Sequence, residues 1–243
     1  MGRNFNGSTD ILSRSSGNPT ITSFTMMAWV RFTSFPGWAL PLSLGQSGGG
    51  GTYYAMGTTA TTGPNNLVLT HPGGQVTTTT PSTATWYHLA MTVAGTGASQ
   101  FLGYRDGVNV LTHSGNATPT NAYMGIGNNT DSDYLNGDMC AVKVYNAVLT
   151  AAEILQEMRQ IAPVRTANIN TWLPLVDGSP TVDYSGVGGN MTSGGTVTAT
   201  DNPPIPWRCG RRRFVFPASA PPAGTTPKYV FGKVLAGPFA GAI

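Results

Sequence analysis

Between residues 24 and 146 the chain repeats one pattern, an alternating apolar run followed by a turn. In "FTMMAWVRF" (24–32), Phe24, Met26, Ala28, Val30 and Phe32 fall on one face, and Thr25, Met27, Trp29 and Arg31 on the other. A period of two predicts a strand. Both faces are largely apolar, so this strand is expected near the middle of a sheet, with part of its second side covered. "LVLTH" (67–71) and "QVTTTT" (75–80) flank Pro72-Gly73-Gly74, a hairpin-type break. "WYHLAMTV" (86–93) is a further strand, and "FLGYRDGVNVLTH" (101–113) carries Asp106-Gly107, the strongest hairpin signal in the chain. "AYMGIGN" (122–128), "DMCAVKVYN" (138–146) and "INTWLPLVDG" (169–178) follow, with a short closing strand expected around 196–200. Runs at this spacing predict a sandwich or barrel. Composition agrees: 9% charged residues, 32 Gly and 18 Pro suit many strands joined by turns.

One segment changes period. "LTAAEILQEMRQI" (149–161) reads as a helix. Thr150 and Glu153 fit a capping box, and Leu149 and Ile154 a hydrophobic staple. Ile154, Met158 and Ile161 share the apolar face, while Glu157 is expected as a surface charge.

Charge divides the chain in two. Six of the 13 basic residues follow Asp201, and none of the ten acidic ones does, leaving net +6 after that residue and −3 up to it. From 208 onward the chain is basic, aromatic and punctuated by Pro and Gly. Residues 1–207 are therefore expected to form the folded body, and residues 208–243 an extended arm. The arm holds Arg208, Arg211, Arg212, Arg213, Phe214, Phe216, Tyr229, Phe231 and Phe239. Three readings compete. Arginine beside aromatics suits nucleic acid, but an acidic body and one short basic cluster rank that last. A disordered tail fits poorly with so many aromatics. An assembly arm, docking on neighbouring subunits by ion pairs, aromatic anchors and strand addition through "KYVFGKVL", is favoured.

Motifs for catalysis are few. Glycoside cleavage needs two flanking carboxylates, yet the only glutamates, Glu153 and Glu157, lie on the helix. No catalytic residue is assigned and no enzyme is expected. "DSDYLNGD" (131–138) offers Asp131, Asp133 and Asp138 but lacks the spacing of a calcium loop, so it is read as a solvated turn, and no cofactor is expected. His88 is read as a satisfied packing residue, and His71 and His113 end strands. Cys140 is expected in the core, and nothing in the spacing pairs it with Cys209. "GQSGGGGTYY" (45–54) reads as a mobile loop. Trp38, Tyr53 and Tyr54 fall in such surroundings and are the glycan-binding candidates; folding back over the sandwich end is the alternative. No signal peptide or membrane helix is expected.

The order "FTMMAWVRF", "TWYHLAMTV", "FLGYRDGVNV", "YMGIGN", "LNGDMCAVKVYNAVLTAAEI" resembles the laminin-G-like, concanavalin-A-like jelly-roll family over roughly residues 5–160. The segment 172–203 is similar to the closing segment of such domains. The resemblance implies two antiparallel sheets packed face to face, an all-β sandwich with one short helix and a C-terminal arm. It departs where relatives carry acidic residues after the glycine, since Cys140 and Ala141 stand there, which puts a calcium role in doubt. The whole chain also resembles laminin-G-like proteins encoded by tailed phages. That implies a non-enzymatic virion structural protein, decorating a capsid or associated with a tail, homo-oligomeric and at the virion surface. The alternative is a glycan-binding adhesin. The fold alone assigns neither.

Overall fold

The alternating runs pair into two antiparallel sheets. The structure, a computed structural model, describes residues 2–45, 53–59, 65–71, 74–95, 100–114, 123–129, 132–176 and 178–205. In chain order the strands are β1 (Arg3–Asn6), β2 (Ile11–Arg14), β3 (Ser23–Phe32), β4 (Ala39–Gly45), β5 (Tyr53–Thr59), β6 (Asn66–His71), β7 (Gly74–Thr77) and β8 (Trp86–Ala94). β9 (Phe101–Arg105), β10 (Val108–His113), β11 (Tyr123–Ile126), β12 (Asn136–Tyr145), β13 (Ile169–Leu173), β14 (Thr192–Gly194) and β15 (Thr198–Ala199) follow, with the helix α1 (Ala151–Met158) between β12 and β13. An eight-stranded sheet runs β10-β9-β8-β3-β12-β1-β15, with β13 also on β12. A seven-stranded sheet runs β14-β2-β11-β4-β5-β6-β7.

The expected all-β sandwich is the observed fold. β3 is central as its two apolar faces require, between β8 and β12. Its inner residues Phe24, Met26, Ala28 and Val30 meet Leu42, Leu44, Tyr54 and Met56 of the other sheet in one core. Asp106 and Gly107 both take positive φ, 55° and 80°, as a two-residue hairpin turn requires. Asp106 Oδ1 also accepts the backbone N–H of His88 at 2.8 Å. Strands β1, β2, β4 and β5 do not stand out in the sequence pattern: β1 and β2 are four residues long, Pro41 interrupts β4, and β5 ends in Gly-Thr-Thr.

A bulge in β12 decides what lies outside the eight-stranded sheet. The register with β3 slips between Cys140 and Lys143, and Ala141 has φ 52°. Met139, Val142 and Val144 therefore face the core, while Cys140 and Ala141 join Trp29 and Ile205 in a second apolar cluster. One extra residue re-aims every side chain beyond it, so Lys143 points outward, under α1.

The helix ends at Met158, short of the 161 expected, and it ends on sheet side chains. Thr150 caps its start, with both halves of the capping box present, and Leu149 and Ile154 pack together. Trp29 Nε1 donates to Met158 O at 3.0 Å, and Trp172 Nε1 donates to Ile161 O at 3.1 Å. Lys143 Nζ donates to Glu157 O and to Gln160 O, each at 2.8 Å. These donors satisfy carbonyls that a helix C-terminus leaves open. Glu157 is thus not a surface charge. It is buried, 2.7 Å from Lys143 Nζ, and its carboxylate also accepts the N–H groups of Val164 and Arg165.

A second buried pair closes the segment 170–190 onto β2. Arg14 Nη1 lies 3.3 Å from Asp183 Oδ2, and the guanidinium also donates to Gly17 O, Gly189 O and Thr171 Oγ1. Asp183 Oδ1 accepts from the N–H groups of Trp172 and Ser185. Gly188 is required there, since a Cβ would stand 2.2 Å from Arg14 Nη1.

Candidate functional site

The outer face of the seven-stranded sheet follows from the alternation. Leu12, Met124, Leu42, Leu44, Tyr54, Met56, Leu67 and Leu69 face the core, so their neighbours face away from it. In register across the sheet these neighbours form one row: Thr192, Ser13, Gly125, Ser43, Ala55, Thr70 and Gln75. Every residue in the row is uncharged, and the central ones are small. The row crosses seven strands, about 30 Å at the usual strand spacing. Larger side chains flank it: Tyr123 and Tyr53, in register through Gly45, on one side, and Val68 on the other. Trp38 packs with Leu40, Tyr53, Ala55 and Val68 as an apolar cluster on this face. The centre of the face is shut off from solvent, with Ser43, Ala55 and Val68 buried, whereas Ser13, Gln75 and Trp38 are half-buried and Thr192 is exposed.

Gly57 shows how tightly the chain crosses itself here. A Cβ on it would fall 2.0 Å from Ala39 O, where the β4 bulge rides over β5. Ser43 Oγ reaches Asn128 O at 3.1 Å. The Tyr123 hydroxyl is buried next to Ser13 and Gly125 without a well-formed hydrogen bond, and burial, partly offset by the nearby Ser13 side chain, pushes its pKa up to about 12. A buried hydroxyl left unpaired costs about 1–3 kcal/mol.

The three expected glycan-binding aromatics separate. Trp38 and Tyr53 share the outer cluster. Tyr54 does not: it is 1% exposed and lies between the sheets, its ring 4.5 Å from Phe101 and 5.7 Å from Phe24. The two tyrosines that end the glycine-rich run begin β5, and alternation sends adjacent tyrosines to opposite faces. Tyr123 was missed because a lone tyrosine in an apolar run reads as core. Arg208, Arg211, Arg212, Arg213, Phe214, Phe216, Tyr229, Phe231 and Phe239 lie outside the described residues, as do Cys209 and Asp131.

The opposite outer face holds the strongly shifted groups, and its ion pair is matched within the protein. Lys143 uses all three N–H donors. His88 lies against Trp29, ring centroids 5.6 Å apart, and is held neutral: burial first, then Lys143, push its pKa down to about 3. Its packing is as expected, but its Nδ1 has no partner, so it is not fully satisfied. Cys140 is buried, with its thiol pushed up to about 12, chiefly by burial. Glu153 is engaged in the cap and Glu157 in the pair with Lys143. Asp138 accepts from Arg31 and Asn4, and Asp133 accepts from Asn129. Among the described residues no group of three His, Cys, Asp or Glu converges as a metal site, and no helix is long and apolar enough to cross a membrane.

These two sheets and their face-to-face core define a jelly-roll sandwich of the lectin-like class. The chain belongs to the concanavalin A-like lectin/glucanases superfamily, whose family model matches residues 6–155. No curated protein matches the chain. A "putative carbohydrate binding protein" from Bacteroides ovatus superposes with a TM-score of 0.60 at 19% identity, over 83% of this chain and 60% of its own length. A heptameric SAP-like pentraxin from Limulus polyphemus gives 0.51 at 14% identity, over 63% of this chain and 79% of the pentraxin. Domain 4 of an extracellular arabinanase from Geobacillus stearothermophilus, solved with arabinotriose, gives 0.51 at 18% identity, over 64% of this chain and 75% of that domain. At these identities the likeness is one of fold.

Proposed function

We propose that the body is a non-enzymatic carbohydrate-binding module that takes an uncharged glycan on the outer face of the seven-stranded sheet. The observation that carries this reading is the row of small, uncharged residues across the sheet, flanked by Tyr53, Tyr123 and the half-buried Trp38. The accessible ends of the row, Ser13 and Thr192 on one side and Gln75 on the other, with Trp38 beside them, offer hydroxyls, an amide and an aromatic ring, which suit sugars, and no charge, which suits neutral ones. The Bacteroides ovatus protein and the arabinotriose-bound arabinanase domain share the fold, which sets the class of ligand to try first. No catalysis is proposed, because both glutamates are engaged in holding α1. A screen of neutral glycans on arrays, followed by calorimetry, tests this. Binding that Tyr123→Phe and Trp38→Ala each weaken supports it; binding unchanged in both variants overturns the site.

The charge division favours a second, compatible reading: the chain is a structural component of a virion, on a capsid or tail surface, with residues 208–243 docking on neighbouring subunits. Ile205, the last described residue, packs beside Trp29 and Cys140, so the folded body reaches to that point. Light scattering on the full chain and on a version ending at Trp207 tests it. A defined oligomer that becomes a folded monomer on truncation supports an assembly arm; identical masses overturn it.

A further inference from the structure

The last described stretch of the chain lies against the eight-stranded sheet and is held at few points. Thr196 N–H donates to Asp10 Oδ1 at 2.8 Å, and Val197 packs on the main core, so the stretch is anchored up to there. Beyond it, β15 is two exposed residues paired with Arg3 and Asn4 of β1. Thr200 N–H donates to Gly2 O at 2.8 Å, and Gly2 N–H donates to Asp201 O at 3.3 Å. Ile205 then packs with Trp29, Cys140 and Ala141. Arg31 joins this stretch to the sheet, and on the sheet side it is firmly fixed. Trp86, Arg31, Asp138 and Asn4 stand in register across four strands. Arg31 Nε donates to Asp138 Oδ2 at 2.7 Å, and the buried Asp138 carboxylate also accepts from Asn4 Nδ2 at 2.9 Å. The guanidinium lies 5.1 Å from the centre of the Trp86 ring. On the other side the hold is looser. Nη2 donates to Thr200 Oγ1 at 3.2 Å, and Nη1 stands 3.9 Å from the carboxylate of Asp201, whose side chain is 88% exposed.

We propose that residues 198–205 are a releasable strap, with Arg31 as its catch, that lifts while the sandwich stays folded and uncovers the apolar patch of Trp29, Cys140 and Ala141. Lifting breaks two strand pairs, the bonds to Gly2, the outer half of the Arg31 contacts and the cover of one isoleucine. An ion pair as exposed as that with Asp201 adds little. The catch itself stays in place, because Asp138 and Trp86 hold it from below. The central strands β3, β8 and β12 keep all their pairing with one another. A chain end joined by so few contacts opens at a small fraction of the cost of unfolding the whole. The chain runs on from Ile205 to residue 243, so a partner that draws on those residues pulls the strap first. That use of the strap rests on the assembly reading; the strap itself does not.

Pulsed labelling of Cys140 in the full chain tests the strap, with peptide mapping to separate it from Cys209. Cys140 is buried and packs with Ile205, so a neutral maleimide reaches it when that cover lifts. Measured across low urea, labelling is expected to follow an opening whose urea dependence is less than about a quarter of that of global unfolding, since the slope scales with the surface exposed. Thr200→Val combined with Asp201→Ala frees the strap side of Arg31 and leaves Asp138 paired. It is expected to make the opening about fivefold more frequent, with the urea midpoint of the body unchanged. Labelling that rises with the full slope of global unfolding overturns the strap. So does a small slope with a rate that the double substitution leaves unchanged, because Cys140 is then reached without Arg31 letting go. In the unaltered chain the Thr200 amide should exchange through the same opening as Cys140; a Thr200 amide as protected as those of β3 also overturns it. No partner is present in this test, so its failure leaves the assembly reading standing, and that reading fails instead on the masses of the full and shortened chains.

Discussion

The two outer faces of this sandwich are both largely uncharged in sequence, yet they solve burial in opposite ways. The eight-stranded sheet is covered by α1 and by the segment ending at Ile205. The polar groups brought into that interface, Lys143, Glu157, Trp29 and Trp172, are matched to one another or to helix carbonyls. The outer face of the seven-stranded sheet carries a row of small residues and a tyrosine hydroxyl without a well-formed hydrogen bond. The first face is held shut by α1 through these bonds, although His88 Nδ1 on it stays unpaired. Among the described residues no helix packs on the second face, and its row keeps Thr192 exposed and Ser13 and Gln75 half-buried, with Trp38 half-buried beside it. Strongly perturbed groups are therefore a poor guide here, because the most perturbed ones belong to the closed face.

The largest expected effect strikes that closed face. Lys143→Met leaves the Glu157 carboxylate buried without its cation and should cost about 3–5 kcal/mol in urea unfolding. Replacing both partners, Lys143→Met with Glu157→Met, should recover much of it. Equal losses in the single and double variants would show that the pair is not the element holding α1.

Next comes a pH dependence from the same face. His88 is neutral when folded, with a pKa near 3, but protonates in the unfolded chain near 6.5. Between those values the unfolded state holds the extra proton, so the contribution is complete above about pH 6.5. It falls by about 1.4 kcal/mol per pH unit as pH drops toward 3. The difference in unfolding free energy between the unaltered chain and His88→Phe, followed from pH 7 to about 4.5, should shrink with this slope; a constant difference would mean that His88 titrates normally.

Thr150→Ala tests the helix start alone. It removes the side-chain acceptor for Glu153 N–H and should cost about 1 kcal/mol. An effect of several kcal/mol would mean that α1 docks only when capped.

The smallest stability effect belongs to the proposed binding face. Trp38→Ala, at a half-buried position, should change stability by no more than about 1 kcal/mol while lowering affinity for a bound neutral glycan about tenfold. A large stability loss with unchanged affinity would reverse the comparison and make this face structural too.

Periodicity and turn chemistry were enough to read the sandwich, the Asp106-Gly107 hairpin, the central place of β3 and the capped start of α1, because each depends on contacts within a few residues. The residue types that resemble the family were also legible along the chain, and the family match covers the same stretch. Side-chain facing in β12 was not, since the bulge at Ala141 comes from its pairing with β3, and it alone turns Lys143 toward α1. Nor was the separation of Tyr53 from Tyr54, which requires knowing that a strand starts where a glycine run ends. Glu157 reads as exposed by helix spacing alone; only Lys143 of the sheet below and the amides of Val164 and Arg165 beyond the helix end supply the cation and donors that let a carboxylate leave water. Local preference is written in sequence because it acts over short separations. The burial of a charge, the enclosure of the Tyr123 hydroxyl and the meeting of Arg31 with Thr200 and Asp201 arise between residues far apart along the chain, and only tertiary packing sets what each one faces.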